Sequence, residues 1–302
     1  MPVDIQRACP VCGSSEPEPY LAKGSLRLVR CRNCSMVYGN PVPTEFASGE
    51  HYDRIGADYY LSPAKLESDY APVRFERESR IFRQWCPRGA VLDVGCSSGA
   101  FLYHLGQQFP GEYELMGTDV SGPALDYAAS RGIKVSRGQF AEQAFDREYD
   151  AVTFWAVLEH LIEPKSYLAK AHCILKPQGF CFVLVPNLRS LAVRFLGARY
   201  RYIYPQHLNY FTRQTLTELA GHGFSVHEIG GTHFNPVVLW QDWRRGGAGV
   251  SNQERAELLK RTTSMKQNPM LRPAKVLYRL TEQVLGVLGL ADNLVAVLQK
   301  RT

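Results

Sequence analysis

Four cysteines stand in two pairs, Cys9-Pro-Val-Cys12 and Cys31-Arg-Asn-Cys34, with eighteen residues between the pairs. Two CxxC pairs at this separation match a four-cysteine zinc ribbon. Four thiolates close a tetrahedral shell around Zn²⁺, so the expected site is structural, not catalytic. A unit of roughly forty residues builds too little core to fold alone, and the metal supplies the missing free energy. Two disulfides in an oxidising setting are the alternative.

A second run with chemistry in it is Val91-Leu92-Asp93-Val94-Gly95-Cys96-Ser97-Ser98-Gly99. An apolar strand ends there in a glycine turn that opens a helix. Gly95 permits a sharp turn and a close approach to a ligand. A dinucleotide fingerprint reads GxGxxG and seats a diphosphate on a helix N-terminus. This loop offers the carboxylate of Asp93 instead, which suits a cationic amine such as that of S-adenosylmethionine. Asp119, at the tip of the next strand in GTDV, is placed to accept both hydroxyls of a ribose. Gln139 and Phe140 follow the third strand, where an adenine ring would lie. The expectation is that Gln139 bonds the adenine amine and Phe140 packs on the ring. Singly, each feature is ordinary: a strand-end glycine turn is common punctuation, and a strand-end Asp usually caps a helix. Three in order at successive strand ends are specific.

The segments VLDVGCSSGAFL, GTDVS, YDAVTFWAVLEHLIEP, LKPQGFCFVLVPN and YPQHLNYFT resemble the class I S-adenosylmethionine-dependent methyltransferases. The resemblance covers residues 89–302. It is closest to bacterial small-molecule methyltransferases that begin with a zinc ribbon. It implies an α/β fold: a Rossmann-like seven-stranded sheet, helices on both faces, the last strand antiparallel. It implies cofactor contacts at Asp93, Gly95, Gly99, Asp119 and Gln139, with Cys96 and Val120 beside them. Trp155 to Glu159 would line the cavity, and Tyr60 with Tyr59 would close over the cofactor. Ser97 stands where a glycine is usual, and Gln139 where an aspartate is usual.

Methyl transfer from a sulfonium needs alignment above all. An oxygen or carbon nucleophile often needs a base as well. His207, in the aromatic loop YPQHLNYF, is the first candidate, and His160, just after the fourth strand, the second. Tyr60, Tyr204, Tyr210 and His51 complete the candidates. Arg189, Arg194, Arg199, Arg201, Arg244 and Arg245 are either solvated surface or a face for an anionic acceptor.

These residues must be positioned by a larger frame. The 302 residues are 45% hydrophobic and 21% charged, which suits a large domain plus a small one. Residues 1–42 read as the ribbon and 43–88 as a linker with a lid or approach helix near 73–85. Residues 89–302 read as the methyltransferase core. Strands are expected at 90–96, 114–120, 133–138, 149–155, 179–187, 225–234 and 293–301, with helices between them. A helical insertion is expected at about 237–290. There Leu277, Leu280, Val284 and Leu288 recur at helical spacing, a stripe expected to cover the core, with contact to lipid as the alternative. Cys86, Cys96, Cys173 and Cys181 are expected as small core residues.

A net charge of +6 is modest for a nucleic-acid binder. Neither an apolar run of membrane-spanning length nor a signal-peptide core is present, so a cytoplasmic address is expected. The expected partner is a small-molecule acceptor: a sugar, nucleotide-sugar or secondary metabolite. Nucleic acid is disfavoured, and a homodimer is compatible. Two rival readings stay open. One is an RNA methyltransferase using the ribbon for recognition, opposed by the absence of an NPPY-type tetrapeptide. The other is a non-catalytic partner-binding protein that keeps a relict cofactor fold. A dehydrogenase is opposed by the missing GxGxxG.

Overall fold

A computed structural model describes residues 4–47, 50–247 and 250–301. The chain opens with five short strands: β1 (Asp4–Ile5), β2 (Pro17–Lys23), β3 (Leu26–Cys31), β4 (Val37–Gly39) and β5 (Val42–Pro43). β2, β3 and β4 form an antiparallel sheet. Two cysteine turns bracket it. Gly13 N–H donates to Cys9 O at 2.9 Å, and Ser35 N–H to Cys31 O at 2.9 Å. Both turns need a left-handed residue, supplied by Gly13 (φ 76°) and Ser35 (φ 64°).

Helices α1 (Thr44–Ala47), α2 (Glu50–Ile55), α3 (Pro63–Asp69) and α4 (Glu76–Trp85) follow, with a π-helical turn at Gly56–Tyr60. Asp53 fastens this region to the main body. It accepts from Gly122 N–H at 2.9 Å and from Arg137 at 3.0 Å. Phe82 of α4 is fully buried against Phe101 and Phe182, which makes α4 part of the core.

The main sheet comprises β6 (Gly89–Val94), β7 (Tyr113–Asp119), β8 (Lys134–Arg137), β9 (Tyr149–Trp155), β10 (Leu175–Pro186), β12 (Phe224–Thr232) and β13 (Asn293–Lys300). Its order is β12-β13-β10-β9-β6-β7-β8. β13 runs antiparallel to both neighbours, β10 and β12, while β6 to β10 are parallel. Helices α5 (Ala100–Gln108), α6 (Gly122–Ser130), α7 (Pro164–Ile174), α8 (Leu191–Leu196) and α9 (Arg213–Ala220) join the strands. The central strands are apolar and buried on both faces, as a parallel sheet covered by helices requires. The seven expected strands are all present. β10 begins at Leu175, earlier than expected, with a break in register before Phe180.

Among the described residues the insertion holds three α-helices: α10 (Pro236–Arg245), α11 (Asn252–Gln267) and α12 (Arg272–Val287). Their starts are chemically marked. Asn235 caps α10 ahead of Pro236, and Ser251 with Glu254 forms a capping box on α11. The expected core-facing stripe of α12 is corrected. Leu277 is 68% exposed and Leu288 63%, with Leu280 and Val284 outward beside them. The helix instead packs through Gly286, against Gly231, and through Glu282, which accepts from Phe234 N–H at 3.2 Å and Tyr278 at 3.0 Å. Helical spacing says which residues share a face, not what lies opposite. Cys173 is a second correction: it is exposed, while Cys86, Cys96 and Cys181 are buried.

A strand absent from the sequence reading, β11 (Asn209–Tyr210), pairs antiparallel with β4. It carries the small sheet onto the main body. One buried cluster runs from Cys9, Cys31, Met36 and Tyr38 to Val94, Phe154 and Val183. Arg7 locks this seam. Its guanidinium donates to the carbonyls of Gly39 (3.1 Å), Ile162 (2.8 Å) and Leu208 (2.6 Å) and to Asn209 Oδ1 (3.1 Å).

Arg7→Ala removes charged hydrogen bonds from these carbonyls, worth about 1.5–3 kcal/mol each, although Leu208 O keeps the Gly39 N–H. Urea unfolding is expected to show a loss of about 3 kcal/mol, with Arg7→Lys failing to rescue because one ammonium does not span the fan of acceptors. A change under about 0.5 kcal/mol, the level of an ordinary surface substitution, refutes the seam as a stabilising contact.

Candidate functional site

The loop after β6 is built on three left-handed residues: Gly95 (φ 71°), Ser97 (φ 50°) and Gly99 (φ 76°). A Cβ at Gly95 would meet Val157 at 2.6 Å, and one at Gly99 would meet Ala128 at 2.9 Å. Ser97 occupies a conformation that costs a side chain roughly 1 kcal/mol, which is the physical reason glycine is usual there. The loop is stitched to β7. Gly95 N–H and Cys96 N–H both donate to Thr118 O, at 2.7 and 3.1 Å. Asp119 accepts from Ser97 N–H at 2.8 Å through one oxygen and from Ser121 N–H at 2.9 Å through the other.

Two carboxylates therefore sit at adjacent strand tips, at the point where the strand order reverses between β6 and β9. Asp93 is 3% exposed and accepts from the Thr153 hydroxyl at 2.6 Å. Burial pushes its pKa up to about 7, against the pull of the Thr153 hydrogen bond. Burial also raises Asp119, opposed by the backbone N–H groups it accepts from.

A cavity of about 1350 Å³ opens over these tips. Tyr60, Cys96, Val120, Gln139 and Trp155 all reach it. Gln139 is oriented by Tyr167, whose hydroxyl donates to its Oε1 at 2.6 Å, so that oxygen is already engaged. Phe140 differs from expectation. Its ring is 2% exposed and packs among Phe145, Phe154 and Tyr167 at 5.6–5.8 Å, so it is a core residue that touches the cavity at its edge. Gln143 was missed. It ties Thr118 Oγ1 (2.7 Å) and Gly138 O (2.8 Å) to the loop after β8.

The far end of the cavity is formed by the turn after β9 and the loop before β11. His160 and His207 come together there, with ring centroids 4.8 Å apart. Glu159 lies between their elements, and its backbone carbonyl accepts from Leu208 N–H at 2.7 Å. All three side chains line the cavity. Burial pushes Glu159 up to about 8, His160 down to about 4 and His207 well below the ordinary imidazole range. Tyr204 and Tyr210 wall the same region, the Tyr210 hydroxyl donating to Tyr204 O at 3.2 Å. His51 lies further out and accepts from the Gln206 amide at 2.8 Å.

Charge at this end differs from the expected set. Arg201 is spent inside the protein on Asp242, at 2.7 Å with both side chains 3% exposed. Arg245 pairs with Glu254 and Arg244 lies over Trp240, both outside the cavity. Besides Arg201, the cations that line it are Arg255, over the Tyr204 ring at 4.1 Å, and Lys65, Arg74, Lys266 and Lys275. Arg255 comes from α11, so the insertion roofs the cavity. α11 is held to α3 by Ser68 and Thr263 at 2.7 Å and by Lys260 and Glu67 at 2.7 Å. No local pattern in the sequence marks Arg255.

In the small N-terminal sheet, the four paired cysteines converge. Cys9 and Cys34 sulfurs are 3.5 Å apart, as are those of Cys12 and Cys31, and all four lie within 4.8 Å of one another. Four thiolates about 2.3 Å from one ion stand roughly 3.8 Å apart, so the donor set fits a single tetrahedral metal.

A model of the methyltransferase domain family matches residues 74–229, just over half of the chain. A ubiquinone biosynthesis O-methyltransferase of Burkholderia thailandensis is 29% identical over 174 residues, covering 50% of this chain and 71% of that protein. Its counterpart in Burkholderia orbicola is 31% identical over 165 residues, covering 46% of this chain and 69% of that protein. Among solved structures, a methyltransferase of Thermotoga maritima, described as a possible histamine N-methyltransferase, superposes with a TM-score of 0.53 at 14% identity, covering 84% of this chain and all of that one. The [4+2]-cyclase SpnF superposes equally well, at 0.53 and 16% identity, covering 87% and 98%. These two likenesses speak for the fold alone, and the cyclase shows that one fold serves more than one reaction. The family match, the seven-stranded order and the acid-bearing glycine loop agree: the chain belongs to the methyltransferase domain family, as an S-adenosylmethionine-dependent enzyme.

Proposed function

We propose that this enzyme methylates a small molecule seated between the strand tips and the Glu159, His160 and His207 end of the cavity. The observation that carries the reading is the continuity of that cavity. At about 1350 Å³ it exceeds the ~300–1,000 Å³ usual for one ligand, leaving room for cofactor and acceptor together. Sugars, nucleotide-sugars and secondary metabolites remain the favoured acceptors, and the cations Arg255 and Lys266 favour one that carries an anionic group.

The residues present fit the cofactor. Gly95 and Gly99 leave the loop without side chains that would fill the space, and Asp93 and Asp119 set negative charge beside a site that must take a cation. Asp119 would hold the ribose, Asp93 the ammonium, and Gln139, Val120 and Cys96 would border the adenosine. Tyr60 would cover it from the π-helical turn, and Trp155 would floor the methyl-bearing end. The bound cofactor supplies a methyl group on a positively charged sulfur. The protein aligns the acceptor with it and excludes water. The neutral imidazoles of His160 and His207, with Glu159, are the groups that bear on the acceptor's nucleophilic atom. The four cysteines would hold a structural Zn²⁺, whose part is to brace β4 and, through it, the loop bearing His207.

Three outcomes are expected. S-adenosylhomocysteine is expected to bind in a calorimeter with micromolar affinity, at least about 100-fold weaker in Asp119→Ala because two ribose hydrogen bonds to a charged group are lost. NAD is expected not to bind, and saturable NAD binding overturns the cofactor assignment. Affinity for S-adenosylhomocysteine is expected to rise about tenfold from pH 6 to pH 8, because the ammonium selects the ionised form of a carboxyl titrating near 7. Asp93→Asn abolishes that slope; a slope that persists assigns it to another group. Finally, stripping metal with a strong chelator lowers Tm by roughly 10 °C, as a several-kcal/mol loss does in a chain of this size. An unchanged Tm after complete zinc release removes the structural role.

A further inference from the structure

The side chains of Glu159, His160 and His207 converge at the His207 end of the cavity. One ligand-type atom from each lies within 4.8 Å of the other two. Glu159 is 1% exposed and His207 4%. No hydrogen bond satisfies Glu159 Oε2 or His207 Nδ1. His160 Nδ1 lies 2.8 Å from the Gln206 carbonyl, which only accepts, and 3.0 Å from the Tyr52 hydroxyl; a proton given to the carbonyl leaves the Nε2 lone pair over. A backbone carbonyl holding one nitrogen of an imidazole is the usual outer support of a metal-binding histidine. A buried carboxyl oxygen and a buried imidazole nitrogen that share a space without a hydrogen bond are placed to hold a cation.

We propose that Glu159, His160 and His207 form a second metal site, binding a divalent cation of borderline softness such as zinc or iron(II). Two imidazoles and one carboxylate are the donor set such ions prefer. Bonds of about 2.0–2.2 Å place the donors roughly 3–3.5 Å apart, inside the 4.8 Å within which all three already lie. Three protein ligands leave a coordination position, and it opens on the cavity. The site stands apart from the four cysteines in both ligand type and role. Arg255 faces both imidazoles from α11 and opposes the ion's charge, while the Glu159 carboxylate offsets it.

The use of the ion rests on the methyltransferase reading. A hydroxyl of the acceptor at the open position loses its proton to solvent more readily. The oxygen's electron pair forms the O–C bond, the C–S bond breaks, and its pair stays on sulfur as a neutral thioether. The inference thus names a hydroxyl-bearing acceptor. It also gives the small sheet a task, because Arg7 holds Ile162 and Leu208 on either side of the three ligands.

The test is a cobalt titration of the full chain, stripped of metal and kept reduced. The expected result is two Co²⁺ per chain. One shows the intense thiolate charge-transfer absorption of the four cysteines, and the other only weak visible bands. Glu159→Gln/His207→Ala is expected to lose the second equivalent and keep the charge-transfer band, which also certifies a folded ribbon. A wild-type chain that stops at one equivalent overturns the proposal without recourse to any variant, and so does a second equivalent that survives in the double variant. Calorimetry with S-adenosylhomocysteine separates this from the broader reading. Two cobalt ions without cofactor binding sink the methyltransferase use alone, and cofactor binding with one cobalt sinks the metal site alone.

Discussion

The buried guanidinium of Arg7 is the contact on which the arrangement of this protein turns. It fans its donors into carbonyls from three separate elements: Gly39 of β4, Ile162 after the turn that follows β9, and Leu208 before β11. A planar group with five fixed donors is suited to this, and an ammonium is not. Asn209 completes the knot, its amide donating to Leu158 O at 2.8 Å and Leu161 O at 2.6 Å. A small cysteine-bearing sheet is thereby welded to the two loops that form the far end of the cavity. It fixes where Glu159, His160 and His207 stand relative to the strand tips.

At the tips, geometry and electrostatics oppose each other productively. The parallel sheet puts Asp93 and Asp119 on adjacent strands, side by side under the cavity. Burial makes both carboxyls reluctant to ionise. Asp119 is compensated by two backbone N–H groups, and Asp93 by one hydroxyl. A cationic ligand supplies what remains, so the site is most costly when empty and is relieved by binding a positive group. Uncharged imidazoles at the other end extend the same logic: burial strips the proton and leaves lone pairs free to act.

The insertion between β12 and β13 shows how far a helical pattern can be read. α11 contributes Arg255 to the cavity and clasps α3, so it serves as a roof. α12 exposes its apolar stripe and turns Glu282 and Leu285 inward, both buried, with Gly286 beside them. Glu282 is held by Tyr278, the Phe234 N–H and Arg77, which lets a carboxylate sit at 8% exposure inside a helix interface.

The amino-acid sequence by itself determined the cysteine quartet, the strand and helix order, the acid-bearing glycine turn and Asp119, because each is local. Spacing along the chain sets a thiolate tetrad, a period sets an element, and a strand end sets what lies at the sheet's edge. It also indicated His160 and His207 as singular residues. Only the tertiary structure decided that these two meet, forty-seven positions apart in the chain, with Glu159 between them. It alone turned Phe140 into the core, sent the α12 stripe outward and brought Arg255 over Tyr204. It alone paired β4 with β11. The physical reason is common to all of these. Which face of an element is buried, and which distant loop it touches, depends on what packs opposite, and no residue carries that information in its own neighbourhood.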